Sequence, residues 1–132
     1  MAINLDTGRQ YPLVATADFV IGDLTSGVAA AAIKVPQGAT VIGGDISFST
    51  VFNSSSSDTF KVGDGGVTDR YVANVSGQAL ARTALVPTGF TYTGVDTIDI
   101  TWTSGGGSPT TGAGTLRVMY ILDGRAHEVQ PT

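Results

Sequence analysis

The chain has no cysteine and, in 132 residues, one histidine, one glutamate, two lysines and one tryptophan. The missing thiols exclude disulfides, thiolate nucleophiles and cysteine-held zinc, so stability must come from packing and assembly. The single histidine, His127, stands near the C-terminus in "GRAHEVQPT", and no G-x-S-x-G elbow occurs anywhere. A serine hydrolase would therefore lack both a placed base and a placed nucleophile, and one histidine cannot build a histidine metal site. We expect His127 to be a surface or tail residue.

Cations are also few. Arg9, Lys34, Lys61, Arg70, Arg82, Arg117 and Arg125 are scattered along the chain against 11 acidic residues, for a net charge of −4. Nucleic-acid binding relies on clustered Lys and Arg to release phosphate counterions, so a nucleic-acid partner is not expected. No apolar run approaches the roughly 18 residues a membrane helix needs, so no membrane partner is expected either. The first ten residues, "MAINLDTGRQ", have no basic stretch followed by an apolar core. Synthesis and folding in a cytoplasm is the corresponding expectation.

What the chain does have is sheet chemistry. Glycine counts 18, apolar residues make up 42% and charged residues only 14%, a balance that folds rather than staying disordered. Apolar and polar residues alternate with a period of two. Ile46, Phe48, Thr50 and Phe52 share one face, as do Ile98, Ile100 and Trp102, with Asp99, Thr101 and Thr103 turned toward solvent. Leu116, Val118, Tyr120 and Leu122 share a third face, but Met119 and Ile121 opposite them are also apolar, so this last strand should be covered on both sides. Further strands are expected at Leu13–Ile21, Val28–Val35, Thr59–Val62, Arg70–Val75 and Gly89–Thr93, punctuated by "GDLTSG", "PQGA", "GDGGVTD" and "VPTG". The alanine run at Val28–Ala32 lies between Gly27 and Pro36, too little length for a stable helix, so a strand is expected there. About eight strands with no amphipathic helix between them predict an all-β antiparallel sandwich of the jelly-roll kind. Residues 11–132 form its single domain, and residues 1–10 an N-terminal arm. Asn53–Ser57 and Ser104–Gly112 have the small polar composition of mobile loop tips.

No motif in this frame carries chemistry. Asp64-Gly65 and Gly65-Gly66 are turn dipeptides, and Asp58 follows four serines where a strand should begin, so a hairpin accounts for the whole of "FNSSSSDTFKVGDGGVTDRY". A calcium site on Asp58, Asp64 and Asp69 is the sharper alternative, but the D-x-[DN]-x-[DN]-G spacing is absent. Neither lysine follows a glycine as a phosphate loop requires, and "GAGTLR" lacks the third glycine and the helix of a dinucleotide turn. Asp96 and Asp99, three positions apart on one strand, point to opposite faces and cannot form a glycosidase pair. Trp102 is in phase with core residues, so core packing is expected rather than a sugar platform. No cofactor, metal or catalytic residue is predicted, and the chain is not expected to be an enzyme.

The succession "VPQGATVIGGDISFSTVFNSSSSDTFKVGDG", "DRYVANV", "ALARTALVPTG", "DTIDITWTSGG" and "GTLRVMYILDGRAHEVQ" resembles small tailed-bacteriophage virion proteins, in particular head decoration (capsid cement) proteins with sandwich and jelly-roll folds. The motifs are turn glycines and strand residues, which mark a scaffold more firmly than an activity. The resemblance implies a virion protein, made in the bacterial host cytoplasm, that decorates the capsid exterior. It would bind major capsid protein and itself, as a homo-oligomer, trimer or dimer. Candidate contacts are Ile3, Leu5 and Arg9 in the arm and Met119 and Ile121 on the last strand. Alternatives are a tail or fibre component and, from another class, a carbohydrate-binding sandwich using an exposed aromatic such as Tyr92.

Overall fold

The computed structural model describes residues 8–125. These form β1 (Leu13–Val20), β2 (Ala29–Val35), β3 (Ala39–Thr50), β4 (Asp58–Gly63), β5 (Val72–Ser76), β6 (Arg82–Ala84), β7 (Asp96–Ser104) and β8 (Ala113–Leu122), with one short 3-10 turn at Ile21–Asp23. The strands make two four-stranded sheets, ordered β1-β8-β3-β6 and β2-β7-β4-β5. All pairings are antiparallel: β1 with β8, β2 with β7, β3 with β6 and β4 with β5. First thus pairs with last, second with seventh, and so inward, as in one long hairpin rolled on itself. The pairs β3·β8 and β4·β7 complete the sheets. This is the expected jelly-roll sandwich.

Alternation selects which side chains enter the space between the sheets. Ile46, Phe48, Ile98, Ile100, Trp102, Leu116 and Val118 are all buried there, together with Val35, Val41, Phe60 and Val62. At one end Phe19, Phe48, Phe52 and Phe60 form a ring cluster, and Trp102 packs on Phe52. Phe60 makes its shortest ring contacts, with centroids 4.8 Å from Phe48, 4.9 Å from Phe52 and 6.0 Å from Phe19. Two glycines permit close approaches, one at the ring cluster and one between β3 and β8. Gly112 has φ +150°, and a Cβ there would lie 2.5 Å from the Phe52 ring. Gly44, next to a bulge in β3, has φ +132°, and a Cβ would fall 2.2 Å from the Arg117 carbonyl oxygen. Only glycine permits so close an approach.

The departures from expectation are local. Gly89–Thr93 is not a strand: Thr91 makes one isolated bridge to Thr40, while Tyr92 N–H donates to the Ala39 carbonyl and Gly38 N–H to that of Tyr92. The edge strand in that part of the sandwich is instead β6, three residues whose single half-buried position, Thr83, gives no periodic signal. The alanine run is a strand, as expected. The two serine- and glycine-rich segments are docked on each other. Ser55 N–H donates to the Gly106 carbonyl, the Ser56 hydroxyl to that of Gly105, and Asn53 exchanges hydrogen bonds with Thr110. Hydroxyls and small residues, expected to keep these loops free, allow two backbones to approach and satisfy each other.

Because Phe60 touches three other rings, Phe60→Ala should destabilise the fold by about 3–5 kcal/mol, read as a drop in denaturant midpoint at unchanged m-value. A loss under 1 kcal/mol would contradict this packing.

Candidate functional site

The buried polar groups are the first place to look for chemistry. Asp58 and Asp64 lie at or just beyond the two ends of β4, about 20 Å apart along the strand, and each is 1% exposed. Asp58 accepts from Ser54 N–H (2.9 Å), the Ser54 hydroxyl (2.6 Å), Gln78 Nε2 (2.8 Å) and Trp102 Nε1 (2.7 Å). Four donors fill the roughly four lone-pair sites of a carboxylate. Asp64 accepts from the N–H groups of Gly66 and Val67 at 3.0 and 2.9 Å, from Arg70, and from the Tyr92 hydroxyl at 2.8 Å. Since Tyr92 donates to Asp64, its oxygen accepts from Tyr71, 2.7 Å away. Arg70 also lies 3.6 Å from the Phe90 ring centroid, and Phe90 packs edge-on against Tyr92.

Burial opposes the charged form of both carboxylates, but the donors outweigh it and hold both below the usual aspartate range. For Asp58 these are Ser54, Gln78 and Trp102; for Asp64, Arg70, Val67 N–H and Tyr92. Burial raises the hydroxyls of both Tyr71 and Tyr92 above a normal tyrosine, that of Tyr92 strongly. These groups hold up the fold. The alternative calcium trio of Asp58, Asp64 and Asp69 is not assembled, because Asp58 and Asp64 are separated by β4 and saturated by protein donors. No group of metal-ligating side chains occurs among the described residues. Tyr92, 2% exposed with its hydroxyl engaged, is not the exposed aromatic a sugar would need. Trp102 is core, as expected.

Asp99 corrects a second expectation. It is buried rather than solvent-facing, and burial pushes its carboxyl above the ordinary range, against a 2.6 Å hydrogen bond from the Thr97 hydroxyl. Beside it, the outer face of β4, β5 and β7 carries a shallow cup of about 240 Å³ lined by Thr59, Lys61, Asp69, Asn74, Thr101 and Thr103. The Thr101 hydroxyl is buried there without a protein partner. The cup is polar, and the one ring at its wall, Phe60, is 1% exposed.

The outer face of the other sheet has a different character. Met119 and Ile121 lie on it, two positions apart on β8 and half-buried. Register places Val14 of β1 opposite Met119, and Ile42, in the β3 bulge, lies beside them. Val14 is 60% and Ile42 40% exposed. The expected cover on both sides of β8 is therefore complete only on the inner side among the described residues. Next to this apolar strip, Asp45 accepts from Arg82 at 2.6 Å and from Arg117 at 3.0 and 3.1 Å. Burial works against the Asp45 carboxylate, but the two arginines outweigh it and lower its pKa. Both guanidinium groups are about half exposed, so these pairs contribute less to stability than the buried ones.

Of the candidate contacts, Met119 and Ile121 thus come together, Arg9 is exposed just before β1, and Ile3 and Leu5 lie outside the described residues, as does His127. The end of the proposed arm is tied down: Gln10 donates to the carbonyls of Leu122 and Arg125 and accepts from Leu122 N–H. Val14, Ile42 and the Asp45 network escaped sequence reading because their grouping depends on register between β1, β3 and β8.

No family model matches the sequence, and no curated protein matches it. Solved structures with the same fold come from three phage capsids. A chain in the cyanophage Pam1 capsid asymmetric unit superposes with TM-score 0.68 at 22% identity, over 92% of this chain and 91% of that one. A chain in the acid-stable capsid of Helicobacter pylori bacteriophage KHP30 gives 0.70 at 18%, over 93% and 96%. One in the capsid of Ralstonia phage GP4 gives 0.66 at 12%, over 94% and 91%.

The depressed carboxylates fix the sign of the pH response. Their stabilisation is present above the unfolded aspartate pKa and lost as pH falls through the lower folded values, so stability should decline below about pH 4. Asp64→Asn should reduce stability at pH 7 and flatten that acid decline, measured by urea unfolding across pH 2–7. An unchanged acid slope would contradict the assignment.

Proposed function

We propose that this chain is a non-enzymatic virion structural protein of a tailed bacteriophage, a decoration protein that binds the outer surface of major capsid subunits as a homo-oligomer. The observation that carries the reading is its near end-to-end likeness to chains in three phage capsids. More than nine-tenths of each matched chain is covered, so these neighbours are themselves small units of this size. A unit of this size suits a part added to a shell. Asp58 and Asp64 serve as structural acceptors, which agrees with this reading.

The apolar strip of Val14, Ile42, Met119 and Ile121 is the surface such contact would use, and the arm with Ile3, Leu5 and Arg9 would extend it. Specific attachment needs burial on the order of 1,000 Å² at each site. Many such sites repeated over a shell then act together. The carbohydrate alternative loses its aromatic contact with the burial of Tyr92 and Trp102.

The test is co-sedimentation with expanded and unexpanded capsids of the host phage. The wild-type chain should occupy expanded shells selectively. The double variant Met119→Asp/Ile121→Asp, at half-buried outer positions, should remain folded by circular dichroism and lose at least tenfold in occupancy. Equal binding by the variant would remove this strip from the interface, and no binding by the wild type would overturn the decoration reading.

A further inference from the structure

We propose that β1 is a self-complementary edge through which two copies of this chain pair, strand against antiparallel strand, across a two-fold axis. The proposal deepens the homo-oligomer part of the reading above and rests on it for its biological setting. Its geometry comes from this chain alone.

A sheet edge is a row of unpaired N–H and C=O groups, and folded proteins blunt such edges with charges, bulges, proline or brevity. Three of the four edges here are blunted. β2 carries Lys34 and a register break between Ala31 and Ile33. β5 has five residues, a register break against β4, and Asn74 in the left-handed region at φ +58°. β6 has three residues, one of them Arg82. β1 is the least blunted, its one charge being Asp18, which accepts from the Thr115 hydroxyl of β8 at 2.7 Å. It is eight residues long, runs in unbroken register against β8, and contains no lysine, arginine or proline. No strand pairs with its other side among the described residues.

The backbone orientation of that free edge can be fixed. The Ile21 N–H continues the ladder to the Gly112 carbonyl, so the odd-numbered residues of β1 aim their backbone groups at β8. The Val20 N–H turns the other way and is taken by the Asp23 carboxylate at 3.0 Å. Val14, Thr16 and Asp18 therefore direct N–H and C=O groups off the sheet. Their side chains, with that of Val20, line its exposed outer face.

In an antiparallel pair, opposed residues share a face, so allowed registers differ by steps of two. One register matches like with like. Val14 meets Val20 of the second copy, Thr16 meets Asp18, and Ala17 meets Ala17 on the two-fold axis. A shift one way sets Asp18 against Asp18, two like charges directly opposed. A shift the other way sets Val14 against Asp18 and Val20 against Pro12. In the favoured register the Thr16 and Asp18 pairs exchange two backbone hydrogen bonds each, and the Val14 N–H reaches the Val20 carbonyl. The Asp23 carboxylate, by occupying the Val20 N–H, marks the end of the pairing. The two outer sheets become one continuous sheet, and the apolar strips of both copies lie on the same face of it.

The register gives opposite outcomes to two substitutions at one exposed position. In sedimentation-velocity measurements on the full chain, Thr16→Asp should weaken self-association by about tenfold, because two symmetry-related pairs become repulsive. Thr16→Lys, facing Asp18 of the second copy, should keep or tighten it. Ala17→Cys offers a second readout in a chain with no other thiol. Non-hydrogen-bonded pairs place Cα atoms about 4.5 Å apart, within disulfide range, so mild oxidation should give a covalent dimer that reductant cleaves. Equal effects of the Asp and Lys variants, or an Ala17→Cys chain that stays monomeric on oxidation, would overturn the pairing. Capsid occupancy retained by a Thr16→Asp monomer would leave decoration standing without it, whereas a wild-type dimer that ignores capsids would do the reverse.

Discussion

The rest of the structure depends on the pinning of β4 by two buried carboxylates. Asp58 joins the start of the strand to the serine loop, to Gln78 beyond β5 and to Trp102 in β7. Asp64 joins its end to Arg70 and, through Tyr92, to the strap that crosses from β6 to β7. A buried charge is tolerated only when its lone pairs are satisfied, and here they are filled at both ends. In a chain without disulfides these two hubs hold loops that sequence distance alone would leave loose. Saturation has a second effect. A carboxylate whose acceptors are all occupied by its own protein has little left to offer a metal or a substrate.

The outer faces of the two sheets differ. The face of β2, β7, β4 and β5 is polar, with threonines, Lys61 and Asn74 around the buried Thr101 hydroxyl. The face of β1, β8, β3 and β6 carries the apolar strip beside the Asp45 network. On the decoration reading this asymmetry leaves one face for contact with other polypeptide and a polar face for solvent. The edge of β1 borders the face with the apolar strip, so the proposed pairing and docking would act on neighbouring parts of one surface.

The architecture was largely legible in the sequence because period-two alternation, β-branched residues and turn glycines all act within a few residues of one another. Seven of the expected strands correspond to observed ones, and Trp102 falls in the core as its phase with Ile98 and Ile100 requires. What was hidden depended on partners distant in the chain. Thr83 enters a sheet only because β3 offers it a place, and Asp45 meets Arg82 and Arg117 across separations of 37 and 72 residues. Asp99 lies among threonines, a solvent-facing pattern, yet it is buried in the folded sheet. The serines before Asp58 carry the composition of a free loop, and only the fold brings the glycines of Gly105–Gly107 within reach of their hydroxyls and backbone. Of the candidate contact residues, Met119 and Ile121 were legible as a second apolar face, while Val14 and Ile42 needed the register.

On the decoration reading this sandwich acts by lying on the outside of a phage shell and not by chemistry within it. Electron cryo-microscopy of expanded capsids incubated with the purified chain tests it most directly. The account predicts added density outside the shell, at symmetry-related positions, into which the two four-stranded sheets fit with the β1, β8 and β3 face turned toward other polypeptide. Bare shells, or the chain found only in tails, would contradict it.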